Sequence, residues 1–190
     1  MRIVSGLHRG RVLVAPDTRK TRPTSDKARE TLFNMLTHAP WAPDLEEARV
    51  LDLFAGSGAL GLEALSRGAR SVLLVDMAGA ARQAIRQNID TLGVASQARW
   101  HRRDATRLGT LPEEFTPPFN LVFLDPPYQK GLVTPCLRGL RRGGWVAPQA
   151  LAVIETEASE TPDLSGWILH DSRTSGAAKL WFAEVTDPRL

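Results

Sequence analysis

An open α/β sheet with mostly parallel strands and helices on both faces is predicted for this chain, and three observations predict it. From Val50 onward, short apolar runs alternate with segments of helical periodicity, the pattern of successive strand–helix–strand units. A glycine-rich turn, Asp52-Leu-Phe-Ala-Gly56-Ser-Gly58-Ala-Leu-Gly61, stands at the first strand-to-helix junction. The chain closes on two apolar runs, Trp167–Asp171 and Leu180–Val185, which read as a strand pair and bring in one antiparallel strand.

Taken in order, residues 2–14 carry Ile3, Val4, Val12 and Val14 on either side of a Gly-Leu-His-Arg-Gly turn and predict a β-hairpin. A polar, basic loop over 15–24 follows. A helix starts at Thr24 or Ser25, with a hydroxyl cap, Asp26 in its first turn and Ala28, Leu32 and Leu36 at helical spacing. Residues 40–48 read as a linker. The alternating part then predicts strands over Val50–Phe54, Ser71–Val75, Ala98–His101 and Leu121–Leu124, with another inside Trp145–Ile154. Helices are predicted over Ala59–Ser66, Ala78–Leu92 and Leu132–Leu140, stopped by Gly68, Gly93 and Gly143-Gly144. Residues 1–40 are expected to form an extension and 41–190 the main domain.

The 190 residues are 43% hydrophobic and 24% charged, an ordinary globular composition large enough for a core without staples. The single cysteine, Cys136, excludes an internal disulfide and a thiolate zinc site, and no metal is expected. Charges in the first eleven residues stand where a secretory signal needs an apolar run, and no stretch is apolar for long enough to span a bilayer. A cytoplasmic monomer with no membrane partner is expected. The net charge is only +3, but its distribution is uneven. Residues 1–30 carry Arg2, Arg9, Arg11, Arg19, Lys20, Arg22, Lys27 and Arg29 against three acids, which favours contact with nucleic acid. Two further clusters, Arg99–Arg107 and Arg138–Arg142, read more simply as solvated faces.

The glycine turn suits a nucleoside cofactor, because glycine lets backbone approach a ligand closely. It also satisfies the dinucleotide fingerprint Gly-x-Gly-x-x-Gly, which would put a pyrophosphate at the helix start. Asp52 would repel a pyrophosphate but attract the ammonium of a methionine moiety. Asp76 after the second strand suits ribose hydroxyls, and Asp104 after the third suits an adenine amino group. An acid after each of three strands fits S-adenosylmethionine better than an anionic dinucleotide.

Asp125-Pro126-Pro127-Tyr128 follows the fourth strand, at the edge where open α/β sheets bind ligands. Two prolines fix φ and remove two donors, so the carbonyl between Asp125 and Pro127 is held outward as an acceptor, with the Asp125 carboxylate as a second. Two acceptors aimed at a conjugated amine favour a pyramidal nitrogen whose lone pair faces a methyl donor, while Tyr128 can stack on the base. A paired base must be flipped to reach such a pocket. Together the turn and the clamp imply methyl transfer to an exocyclic amine of a nucleic-acid base.

Three stretches carry a closer likeness: Arg22-Pro-Thr-Ser-Asp-Lys-Ala-Arg-Glu30-Thr-Leu-Phe-Asn-Met-Leu36, Leu51–Gly61 and Asp125–Tyr128. With Arg2-Ile-Val-Ser-Gly6 and Gly10-Arg11, they resemble the RsmD family of bacterial small-subunit rRNA guanine-N2 methyltransferases. The resemblance implies a seven-stranded, Rossmann-like class I methyltransferase fold. It implies methylation of one guanine in 16S rRNA, presented by a small ribosomal subunit or an assembly intermediate. By position it puts Asp52, Ala55, Gly56 and Gly58 at the methionine end of the cofactor, Asp76 at ribose, and Asp104 and Ala105 at adenine. It puts Asp125, Pro126, Pro127 and Tyr128 on the target base, and Arg22 and Thr24, beside Arg19 and Lys20, on RNA. Two departures stand out: Asp76 where the family commonly has glutamate, and no tyrosine before Gly176 in the closing segment. The rival readings are an adenine-N6 DNA methyltransferase, for which the chain lacks a target-recognition region, and a ribosome-assembly module without catalysis, which would not need Asp125.

Overall fold

The computed structural model describes residues 1–16 and 25–187. At its centre is a seven-stranded sheet formed by β1 (Arg49–Leu53), β2 (Ser71–Val75), β3 (Ala98–His101), β4 (Phe119–Leu124), β5 (Val146–Glu157), β6 (Trp167–Ser175) and β7 (Ala178–Val185). The order is β3-β2-β1-β4-β5-β7-β6. The first five pair in parallel, and β7 runs antiparallel to both β5 and β6, the one reversed strand expected. The chain builds outward from β1 to β3, then crosses back to place β4 on the other side of β1. That reversal opens a crevice beyond the tips of β1 and β4.

Strands β2 and β4 read as nearly continuous apolar runs because both of their faces are covered. One face carries α1 (Asp26–His38), α2 (Ala59–Ser66) and α3 (Gly79–Leu92), packed on Val50, Val72, Leu74, Leu121, Phe123 and Val153. The other carries α4 (Val133–Arg142), whose Val133, Cys136, Leu137 and Leu140 pack on Leu51, Leu53, Val122 and Ile154. Burial there pushes the Cys136 thiol up to about 12. Among the described residues, no helix is long and apolar enough to cross a membrane.

Several boundaries fall where the local chemistry predicts. Ser25 caps α1 by accepting the Ala28 N–H at 3.1 Å. Gly93, in the left-handed region at φ 69°, ends α3. Other expectations need correction. The inward face of α1 is Arg29, Leu32, Phe33 and Leu36, while Ala28 is exposed. Arg29 can be buried because its guanidinium donates to the Arg2 carbonyl and to Asp26. Strands β5 and β6 run beyond the predicted limits, because their antiparallel pairing with β7 continues past the rim of the parallel sheet, where side chains turn polar.

The expected amino-terminal hairpin is present in its shortest form, a single bridge between Arg2 and Val12. Ile3 and Leu13 are its buried residues, and Val12 is 69% exposed. The strands stay short because their amides are used elsewhere. Val4 and Ser5 donate to the buried Glu63 carboxylate, His8 to Ser66 Oγ, and Val14 to the Asn88 side chain. These bonds strap the segment to α2 and α3. Gly6 makes the closest approach: a Cβ there would lie 1.7 Å from the Ser66 carbonyl oxygen.

Candidate active site

At the tip of β1 the backbone winds through left-handed conformations at alternate positions, Phe54 (φ 59°), Gly56 (φ 57°) and Gly58 (φ 78°). Glycine takes this conformation without penalty, but Phe54 is strained by about 1–2 kcal/mol. The turn is pinned by three bonds: Ala55 N–H to the Val75 carbonyl, Gly58 N–H to the Ala55 carbonyl, and Gly56 N–H to Asp76 Oδ2 at 2.9 Å. Gly58 then caps α2. Gly61 brings α2 close to the sheet: a Cβ would lie 2.6 Å from Val72 Cγ2 and 2.7 Å from Leu74 Cδ2.

Asp52 lies beneath this turn, 2% exposed, and Oδ2 accepts the Gly61 N–H at 2.9 Å. Burial raises its pKa to about 7, against the lowering effect of that bond and with a further push from Asp76. It is a carboxylate prepared for a positive charge and without one among its described partners.

At the tip of β2, Asp76 accepts from Gly56 with one oxygen and from Ala78 N–H with the other, so it holds the glycine turn to the start of α3. At the tip of β3, Asp104 Oδ1 accepts both the N–H and the hydroxyl of Thr106, which lowers its pKa. The neighbouring Ala105 is buried against the α4 side of the sheet. Thus Asp52, Ala55, Gly56, Gly58, Asp76, Asp104 and Ala105 lie along one rim, on three adjacent strands.

The clamp completes the rim from the other side of β1. Asp52 pairs in register with Phe123 of β4, two residues before Asp125. Leu124 pairs with Ile154 of β5, so Asp125 and Glu155 each stand one residue beyond a matched pair. Residues in register on parallel strands share a face, and that face alternates along each strand. Asp52, Asp125 and Glu155 accordingly lie on the face covered by α1, α2 and α3. Burial, then Glu155, then Asp52 push the Asp125 carboxyl well above the ordinary range.

Pro126 is buried, while Pro127 and Tyr128 are exposed. The Tyr128 hydroxyl donates to Glu155 Oε1 at 2.6 Å. Gln129, left-handed at φ 57°, donates its N–H to Glu160 and its side-chain amide to Glu157. A cleft of about 290 Å³ adjoins the clamp, lined among others by Pro126, Pro127, Leu132, Glu155, Thr156 and Glu160. The arrangement can hold a flat donor group between Tyr128 and acidic acceptors, with a cation site at Asp52 alongside.

Sequence reasoning did not single out Glu155, Glu157 and Glu160. Their signal was available, as acids just after the strand predicted inside Trp145–Ile154, in the manner of Asp76, Asp104 and Asp125 after earlier strands. Trp100, considered for contact with base or cofactor, packs against the α3 face of the outermost strand, beneath Arg82 at 5.3 Å. It is separated from β4 by two strands. Arg19, Lys20, Arg22 and Thr24, expected to contact RNA, lie outside the described residues. In the Arg138–Arg142 cluster, Arg138 pairs with Asp163, and Arg141 donates to two backbone carbonyls, in keeping with a structural surface.

Comparison with known proteins gives a consistent picture. The family described as conserved hypothetical protein 95 matches residues 1–184. Ribosomal RNA small subunit methyltransferase D of Escherichia coli strain K12 is 42% identical over 178 residues, covering 93% of this chain and 85% of the relative. The protein of the same name from Haemophilus influenzae is 36% identical over 180 residues, covering 93% of this chain and 89% of the relative. Among solved structures, a putative methyltransferase, yhhF, from Escherichia coli superposes with a TM-score of 0.80 at 37% identity, covering 98% of both chains.

Proposed function

The chain belongs to the RsmD-type family of small-subunit rRNA methyltransferases, and from that premise we propose that it methylates the exocyclic N2 of one guanine in 16S rRNA, with S-adenosylmethionine as donor. The RNA would be presented within a small ribosomal subunit or an assembly intermediate. The observation that carries this reading is the placement of the buried Asp52 and the half-buried Asp125 at the facing tips of β1 and β4.

The rim fits such a donor on its own chemistry. Asp52, raised to about 7, gains by meeting a cation. Gly56 leaves its Cβ position open, with only the Phe54 carbonyl oxygen as near as 4.0 Å, so a ligand can approach the backbone there. Asp104 keeps Oδ2 outside its Thr106 contacts, available to an adenine amine. Asp76, at the tip of β2 between Asp52 and Asp104, would face the ribose. The donor supplies an electrophilic methyl carbon on a positively charged sulfur.

The chain's own residues prepare the acceptor. Guanine N2 is a weak nucleophile because its lone pair is delocalised into the ring. The Asp125 carboxylate and the Pro126 carbonyl would accept its two hydrogens, draw the nitrogen toward a pyramidal shape and aim the lone pair at the methyl carbon. Alignment then supplies much of the barrier reduction. As the nitrogen–carbon bond forms and the sulfur–carbon bond breaks, N2 must lose a proton. Asp125, whose pKa lies well above the ordinary carboxyl range, is a competent acceptor for it.

The test is transfer of labelled methyl to small subunits that lack the modification, followed by nucleoside analysis. N2-methylguanine is expected. Label in adenine, or in protein, would overturn the assignment.

A further inference from the structure

Guanine carries a hydrogen on N1, directly beside the N2 amine. Adenine and 2,6-diaminopurine carry a bare lone pair at the same ring atom. A second carboxylate next to the one that holds the amine therefore attracts guanine and repels the other two.

Such a carboxylate is present and held. Glu155 stands in β5 beside Asp125, just past the last parallel pair, Leu124 with Ile154. Adjacent strands lie about 4.8 Å apart, the scale that separates two acceptors serving neighbouring atoms of one base edge. Glu155 sits on rigid backbone, since it also pairs with Leu180 of β7. Its Oε1 is taken by the Tyr128 hydroxyl, and among the described residues its Oε2 carries no hydrogen bond. Of the other acids of the neighbourhood, Glu160 has both oxygens engaged, by the N–H groups of Gln129 and Glu157, and Glu157, which accepts the Gln129 side chain, stands two residues further along β5 from Asp125. Glu155 also lines a cleft with Pro126 and Pro127, the two prolines of the clamp.

We propose that Glu155 Oε2 forms a subsite for the guanine N1–H, so that the two neighbouring carboxylates grip adjacent atoms of the same base edge. This rests on the guanine-N2 reading above and deepens it. The bond from Tyr128 fixes the rotamer of Glu155, and the stacking residue and the edge-reading residue thereby set one another.

The experiment uses full-length protein and reconstituted small subunits whose 16S rRNA carries either guanine or 2,6-diaminopurine at the target position. Both bases present a 2-amino group, and only guanine presents N1–H. The wild-type protein should favour guanine in kcat/KM by at least about a hundredfold, since an acceptor covered by the base and facing a lone pair is left unmatched. Glu155→Gln keeps an oxygen for Tyr128 and turns an amide toward N1. It should cut that ratio at least tenfold, mainly by losing activity on guanine. A ratio that is unchanged while both rates fall would overturn the proposal and leave Glu155 as a support for Tyr128. Wild-type protein that uses both bases equally would overturn it without any variant. A wild-type protein that makes no N2-methylguanine at all would instead refute the underlying function.

Discussion

Asp52 has a pKa near 7 where an ordinary carboxyl sits near 3.8, because a full charge there is cut off from water. The sign of the consequence follows by linkage. The unfolded chain ionises Asp52 at the ordinary value and the folded chain only near 7. The group's contribution to stability is therefore complete below about 3.8 and is lost as the pH rises toward 7. Between these limits the ligand-free protein should lose a few kcal/mol relative to Asp52→Asn, as read from denaturant unfolding at pH 4 and pH 7. A cationic ligand reverses the preference and draws the proton off. Binding of S-adenosylmethionine should release close to one proton at pH 6 and almost none above pH 8, weakening up to tenfold per unit as the pH falls below 7. Calorimetry in buffers of different ionisation enthalpy measures this. Equal proton release by Asp52→Asn would assign the effect to another group.

At the level of elements, two glycines set distances that a side chain would spoil. Gly61→Ala places a methyl within 2.6–2.7 Å of Val72 and Leu74 and crowds the oxygen of Asp52 that its own N–H serves. It should cost about 1–3 kcal/mol in unfolding free energy and weaken donor binding with it. Gly6→Ala meets the Ser66 carbonyl and needs a left-handed φ of 80°. It should cost at least about 2 kcal/mol and raise amide exchange at Val4, Ser5 and Leu7, as the strap lifts from α2. Unchanged exchange there would show that the strap is held from elsewhere.

Much of this was legible in the residue order. The bounds of β2, β3 and α2 coincide with the expected ones, because a single apolar run or helical stretch lies between glycine or polar stops. The turn at Gly56 and the clamp at Asp125 were equally plain. What escaped was whatever depends on a partner far along the chain. Arg29 turns inward only because the Arg2 carbonyl and Asp26 receive it. Glu155 matters only because β5 lies in register with β4, and local sequence carries no register between parallel strands.

For the whole molecule, the sheet order makes a rim in which Asp76 and Asp104 lie on one side of Asp52 in β1, and Asp125 and Glu155 lie on the other. The basic amino-terminal segment is fastened on both sides of its undescribed part, by Val14 to Asn88 and by Ser25 at the start of α1. We propose that Arg19, Lys20 and Arg22, with Thr24, meet RNA phosphates, and that residues 1–40 act as the RNA-contacting extension of the domain over 41–190. Neutralising the three cations should weaken subunit binding and reduce the slope of log affinity against log salt by roughly two to three. An unchanged slope would assign them to a solvated surface.

The central claim is that the carboxylate at the tip of β4 acts on the amine while the neighbouring rim holds the donor. Single-turnover transfer by Asp125→Ala, measured beside equilibrium binding of S-adenosylmethionine and of small subunits, tests it most directly. Transfer should fall by about 10³-fold with both affinities kept within a few fold. Transfer at the wild-type rate would contradict the account.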